Sequence, residues 1–127
     1  MTRNNGVYRY YNRRPDGAHL EDCVCRAIST ATGLKYSAVD KLLDLIAEKN
    51  ECDKLVVGCY AHLLSDVFGY EQYFPRDEIT VEELVREYPD KRLIIRVRGH
   101  LTSSIFGTLL DIWNCKDEVV DCFWIVE

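Results

Sequence analysis

Residues 92–115 read RLIIRVRGHLTSSIFGTLLDIWNC, a β-branched and apolar run with the dipeptide Phe106-Gly107 near its centre. Valine, isoleucine and threonine favour strands, and a glycine-containing dipeptide between two apolar runs favours a hairpin turn. The run therefore predicts neighbouring antiparallel strands. The closing segment VVDCFWIV (119–126) has the same character and predicts another strand.

The segment before these strands has the spacing of helices. Residues 22–32 form a predicted first helix, since its apolar residues recur at intervals of three and four and Gly33 can end it. Its predicted buried face comprises Val24, Ala27, Ile28 and Ala31. Arg26 lies away from that face, where it is expected to pair with Asp22 one turn earlier or with an acidic residue elsewhere.

Three more helices are predicted further along the chain. The second predicted helix begins at Ser37, with Asp40 as a weak capping partner. The third predicted helix runs over about 58–68. The fourth predicted helix begins at Thr80, where Thr80 and Glu83 have the spacing of a capping box, and Pro89 ends it.

Helices followed by strands indicate an α+β protein, with N-terminal helices packed on a C-terminal antiparallel sheet. A chain of 127 residues is long enough for one domain, which is expected to span 1–127. The tyrosine-rich segment VYRYY (7–11) predicts an irregular arm or a short strand that packs against the sheet.

Composition excludes several classes of partner. The chain has 16 basic and 21 acidic residues without a basic run, so nucleic acid is not expected as a partner. No apolar run is long enough for a membrane span, and the polar, arginine-rich start is unlike a secretory signal. A cytoplasmic location is therefore expected, with the six cysteines reduced, and their spacing predicts no metal site.

Cys23 and Cys25 begin the first predicted helix. A thiolate is stabilised at a helix N-terminus by unpaired N–H groups and by the helix dipole. Cys23 lies in that first turn, and Cys25 is deeper and gains less. Of the two, Cys23 is the better candidate nucleophile.

A cysteine nucleophile needs an imidazole as its base, and His100 stands in a predicted strand. If Phe106-Gly107 is a two-residue turn, paired positions sum to 213, and Asp111 comes to the side of His100 to orient its ring. A three-residue loop would shift the register by one and bring Asn114 there instead. Both remain candidates.

These motifs resemble those of small papain-like-fold proteins encoded by tailed bacteriophages. The matching segments are DCVCRAISTATG (22–33) and HLTSSIFGTLLDIWNC (100–115), and FPRDEITVEELVREYP (74–89) and CFWIV (122–126) are similar to intervening and closing segments of that group. The resemblance implies a papain-like cysteine peptidase fold. It also implies Cys23 as nucleophile, His100 as base and Asp111 as the orienting residue, with Asn114 as the alternative.

Papain-like enzymes also place a side-chain donor shortly before the nucleophile, to stabilise the oxyanion that forms on the substrate. The preceding stretch here is NRRPDGAHLED (12–22), whose neutral donors are Asn12 and His19. These two residues are the candidate oxyanion donors.

The expected function is cysteine hydrolysis of a peptide, isopeptide or other amide, without a cofactor, by a phage protein in the host cytoplasm. The alternative is an interaction protein with the same fold and an idle Cys–His pair, which binds or inhibits a host or defence protein. A metal-binding reading would instead use Cys23, Cys25, Cys115 and Cys122.

Overall fold

The structure is a computed structural model that describes residues 6–17 and 22–126. Its helices are α1 (Cys23–Thr32), α2 (Tyr36–Asn50), α3 (Val57–Ala61) and α4 (Val81–Glu87), and α3 continues into a π-helical segment (His62–Val67). Its strands are β1 (Tyr8–Tyr10), β2 (Gln72–Tyr73), β3 (Arg92–Val97), β4 (His100–Ile105), β5 (Thr108–Asp111) and β6 (Cys122–Val126). The predicted α+β class is confirmed. Within these residues, no helix has the length and apolar character to cross a membrane.

The strands form a six-stranded sheet in the order β1-β5-β4-β3-β6-β2. The C-terminal strands β3 to β6 pair antiparallel as predicted, but the sheet as a whole is mixed, because the N-terminal strand β1 runs parallel to β5. Close hairpins force antiparallel pairing between strands that follow each other, whereas β1 and β5 are far apart in sequence and no tight turn sets their direction. The VYRYY arm is thus an edge strand.

Helices cover both faces of the sheet. Successive residues of a strand point to opposite faces, and β3 shows this alternation because Ile94 belongs to one buried cluster while Leu93 and Ile95 belong to another. The first cluster contains apolar residues of α1, α2, α3 and the π-helical segment, and the second contains those of α4. The early helices therefore share one face, as predicted, and α4 packs on the other.

The β4–β5 hairpin has the predicted register. Ser103 pairs with Leu110, Ser104 with Leu109 and Ile105 with Thr108, so paired positions sum to 213 and the loop has two residues. Phe106 and Gly107 both have positive φ, at 49° and 84°, as a type I′ turn requires. This turn fixes which residues of β5 lie beside the start of β4.

Most predicted helix ends are confirmed. Gly33 ends α1 in the left-handed conformation, with φ 78°, and Thr80 and Glu83 form the complete capping box of α4. The predicted start of α2 was wrong, because α2 begins at Tyr36 after Lys35 without a side-chain cap. An extended Lys35 backbone allows the helix to begin one residue before Ser37.

Cys52 and Cys59 form a disulfide, which corrects the expectation that all six cysteines are reduced. The bond links the loop after α2 to α3, and so closes the segment that contains Leu55 and Val56. Spacing could not reveal the pair, because only the turn of the chain between α2 and α3 brings these cysteines together.

Candidate active site

Cys23 is the first residue of α1, and the residue before it anchors this end of the helix. The Asp22 carboxylate accepts hydrogen bonds from Tyr36 Oη at 2.5 Å and from Arg14 at 3.2 Å, and it forms an ion pair with Arg26. The predicted Asp22–Arg26 pair is thus present, but Arg26 is buried and not on a solvent-facing side of the helix. These contacts fix the position of the Cys23 backbone.

His100 begins β4, and Asp111 ends β5. His100 Nε2 lies 2.6 Å from Asp111 Oδ2, and both side chains are largely buried. The other carboxylate oxygen of Asp111 accepts the Ile112 N–H at 2.7 Å. The Asp111 carboxylate is therefore held from two sides and orients the imidazole.

The Cys23 thiol forms a hydrogen bond with the side chain of His100. Since Nε2 of the ring faces Asp111, Nδ1 is the nitrogen left for Cys23. The backbone N–H of Leu101 also donates to the Cys23 sulfur. A thiol, an imidazole and a carboxylate thus form one continuous hydrogen-bonded chain.

The hydrogen bonds and charges of these three side chains favour a thiolate–imidazolium pair. Burial opposes charge on Cys23, but hydrogen bonds from His100 and from the Leu101 N–H outweigh it and hold the pKa of Cys23 below its ordinary value. Burial likewise opposes charge on His100, yet its bonds to Asp111 and Cys23 raise the pKa of His100 to about 9. Burial also opposes charge on Asp111, but the hydrogen bond to His100 outweighs it and keeps the pKa of Asp111 below its ordinary value.

Cys25 has the opposite environment. It is buried, its sulfur lies 3.4 Å from the carbonyl oxygen of Tyr36, and burial raises its pKa to about 12. The two cysteines therefore have pKa values shifted in opposite directions, and the His100 imidazole bonds to Cys23.

The other candidate residues lie elsewhere. Asn114 is exposed, and its side chain accepts the Lys116 N–H at 3.3 Å, so the structure brings Asp111 and not Asn114 to His100. Asn12 accepts the Arg14 N–H at 3.0 Å and is not among the residues lining the cavities beside Cys23. His19 lies outside the described residues.

Trp113 packs its ring edge-on against His100, with ring centroids 4.9 Å apart. The indole is partly exposed, while the His100 side chain beneath it is only 12 % exposed. The ring thus covers part of the imidazole and limits the access of water to the His100–Asp111 bond.

No known protein family matches this chain, and neither does any curated protein or solved structure. The site's chemistry must therefore be read from its own geometry.

Among the described residues, the group whose ligand atoms converge closely enough for a metal ion is His100, Asp111 and Cys115. Two of its members already bond to each other, and burial raises the pKa of Cys115 to about 12, which disfavours the thiolate that a metal would need. The alternative set Cys23, Cys25, Cys115 and Cys122 is not such a group among the described residues.

A cavity of about 280 Å³ opens beside Cys23 and His100. One wall is the aliphatic segment 55–57, and another contains Tyr60 and Arg96. Neither wall was predicted from the sequence. The sequence does contain an indication for Arg96: in RLIIRV (92–97) this charged residue lies on the same side of the strand as Ile94, where an apolar core residue is expected.

Proposed function

We propose that the protein is a cysteine hydrolase with a papain-like fold, which uses Cys23, His100 and Asp111 to cleave an amide or a related acyl bond. The observation that carries the proposal is the hydrogen-bonded chain from Cys23 through His100 to Asp111, with a thiol of lowered pKa at a helix N-terminus. Buried structural cysteines such as Cys25 have the opposite shift.

The reaction follows from the charges of these groups. The Cys23 thiolate attacks the carbonyl carbon, and the His100 imidazolium donates its proton to the departing nitrogen as the carbon–nitrogen bond breaks. Water then attacks the thioester while neutral His100 accepts a proton from it, and the Cys23 thiolate leaves. Asp111 keeps the ring oriented and stabilises its charged form throughout.

The oxyanion of each tetrahedral intermediate needs hydrogen-bond donors. The first helical hydrogen bond of α1 runs from the Arg26 N–H to the Asp22 carbonyl, so the N–H of Cys23 has no partner within the helix. We assign this N–H as one donor, because it lies on the residue that attacks.

Phage origin rests on the sequence resemblance alone, and a location in the host cytoplasm rests on that resemblance and on the polar start of the sequence. The Cys52–Cys59 disulfide argues against a reducing compartment, in which such bonds are rarely kept.

The proposal is tested with p-nitrophenyl acetate, an activated ester that needs no knowledge of the natural substrate. We expect a burst of p-nitrophenolate, acetylation of Cys23 detected by mass spectrometry, and continued turnover. Cys23→Ala removes all three, whereas the matched control Cys25→Ala keeps them. If Cys23 is not acetylated faster than Cys25, the hydrolase proposal fails and the interaction protein with an idle Cys–His pair becomes the better hypothesis.

A further inference from the structure

The cavity beside Cys23 is lined by cationic side chains although the chain as a whole is acidic. The chain carries a formal charge of −5, yet the described residues lining this cavity include Arg96 and His100 and no aspartate or glutamate. A cavity that concentrates cationic groups in an acidic protein attracts anionic ligands. Its charge is therefore a candidate determinant of substrate choice.

Arg96 is close to the reacting groups. It pairs across the strands with Leu101, whose N–H donates to the Cys23 sulfur, and so it lies one strand away from the thiol. Its backbone is fixed by the hydrogen bond from the Asp121 N–H to the Arg96 carbonyl at 2.8 Å. The backbone of Arg96 is thus held within the sheet, one strand from the thiol.

The guanidinium has spare donor capacity. It forms an ion pair with Asp121 and a hydrogen bond with Tyr60, while an arginine side chain carries five N–H donors. The Asp121 carboxylate is 52 % exposed, whereas the Arg96 side chain is 30 % exposed. The aspartate therefore lies more toward solvent, and the guanidinium retains N–H donors for a ligand in the cavity.

Tyr60 supports this arrangement from α3. It is buried, and its ring packs edge-on against Trp124 with centroids 6.1 Å apart. Burial raises the pKa of Tyr60 to about 12, so the phenol stays neutral and adds no negative charge beside Arg96.

We propose that this cavity selects substrates that carry a carboxylate next to the scissile carbonyl, and that Arg96 binds this carboxylate while the aliphatic segment 55–57 contacts the neighbouring apolar part. The proposal rests on the proposed hydrolase function, because it assigns the specificity of the same site. A planar guanidinium binds a carboxylate through two parallel hydrogen bonds, which fixes its orientation as well as its position.

The test compares two alkylating reagents that differ in one carboxylate. Iodoacetate is anionic and iodoacetamide is neutral, and the rate of each at Cys23 is measured by mass spectrometry. Arg96→Gln is expected to lower the iodoacetate-to-iodoacetamide rate ratio by about tenfold at low ionic strength, with a smaller effect in salt. The matched control is Arg98→Gln, which removes the same charge from an exposed residue outside the cavity lining and leaves the ratio near that of the parent.

A second variant keeps the test decisive if Arg96→Gln does not fold. Asp121→Asn retains Arg96 but removes its partner's charge, so the ratio is expected to rise severalfold. If neither variant changes the ratio while Cys23 still reacts rapidly with iodoacetamide, this inference is overturned and the hydrolase proposal stands. Slow reaction of Cys23 with both reagents in the parent overturns the hydrolase proposal itself.

Protection experiments identify the source of the carboxylate. Acetyl-alanyl-glutamate amide offers only a side-chain carboxylate, and acetyl-alanyl-glutamine offers only a terminal one. Slower iodoacetamide labelling with the first peptide supports an acidic side chain, and slower labelling with the second supports a free C-terminus. Each protection must be lost in Arg96→Gln, and protection that survives that substitution contradicts the role of Arg96.

Discussion

Replacement of His100 by alanine should suppress the reactivity of Cys23 at mildly acidic pH. The imidazole supplies both a hydrogen bond and a positive charge to the thiolate. Without it, burial and the negative charge of Asp111 raise the pKa of Cys23, and the Leu101 N–H remains as the opposing contact. We therefore expect the variant's pKa to lie at or above the ordinary value for cysteine.

The size of the effect follows from the thiolate fraction. At pH 6.5, a thiol with a pKa of about 9 is ionised to roughly 0.3 %. Each unit of lower pKa raises the thiolate fraction about tenfold, but the weaker base is also about threefold less nucleophilic, so the net gain is about threefold per unit. At this pH the parent should therefore be alkylated about threefold faster than the variant for each unit by which their thiol pKa values differ.

The assay is the pH dependence of iodoacetamide alkylation from pH 5 to 10, mapped to each cysteine by mass spectrometry. The parent should react at Cys23 from the lowered pKa of the thiol upward, with a further change near pH 9 where His100 loses its proton. Cys25 should stay unreactive across most of this range, because its pKa is about 12. Cys25, on the same helix, therefore serves as an internal reference for the reactivity of Cys23.

The matched control is His62→Ala, since His62 is partly exposed and pairs with Asp66, away from the site. This variant should keep the parent profile. The reasoning is refuted if His100→Ala leaves the rate of Cys23 at pH 6.5 unchanged, or if His62→Ala lowers it equally.

Three further predictions concern the geometry that supports the site. Asp111→Asn removes the carboxylate that raises the pKa of His100, so the change in the Cys23 alkylation rate that marks loss of the His100 proton near pH 9 should move to lower pH, and an unmoved change would contradict the role of this charge. Gly107→Ala should destabilise the protein by about 1–2 kcal/mol in urea denaturation, because its φ of 84° disfavours a side chain, whereas Gly58→Ala in α3 meets no atom and should not destabilise. Thr80→Ala should lower the free energy of unfolding by about 1 kcal/mol through loss of the α4 cap, and Thr80→Ser should retain most of the stability. Equal stability of both variants would argue against the capping box.

Local rules predicted the elements that carry the candidate site. Gly33 ends α1 because glycine readily adopts the left-handed backbone conformation found there. The Phe106-Gly107 turn sets the register that brings Asp111 to His100. Both depend on residues close together in the sequence. The Cys23 position at a helix start follows from the same kind of local signal.

Chain geometry that spacing does not encode explains what sequence reasoning missed. The parallel β1–β5 contact joins segments about a hundred residues apart, and the Cys52–Cys59 bond depends on how the loop after α2 turns into α3. Arg26 was expected away from the apolar face of α1, yet it is buried, and Asp22 pairs with its charge inside the structure. Periodicity identifies apolar burial and does not detect a charge that is buried with its partner.

The edge strand β1 has a consequence for truncation. It covers β5 through backbone pairing, and the Asp111 carbonyl accepts both the Tyr11 N–H at 2.9 Å and the Tyr8 hydroxyl at 3.0 Å. Deletion of this arm would leave β5 with a free row of backbone donors and acceptors, which can template strand addition from another chain. A shortened protein would then be prone to self-association through the strand that holds Asp111, and loss of activity and aggregation would arise together from a single cut.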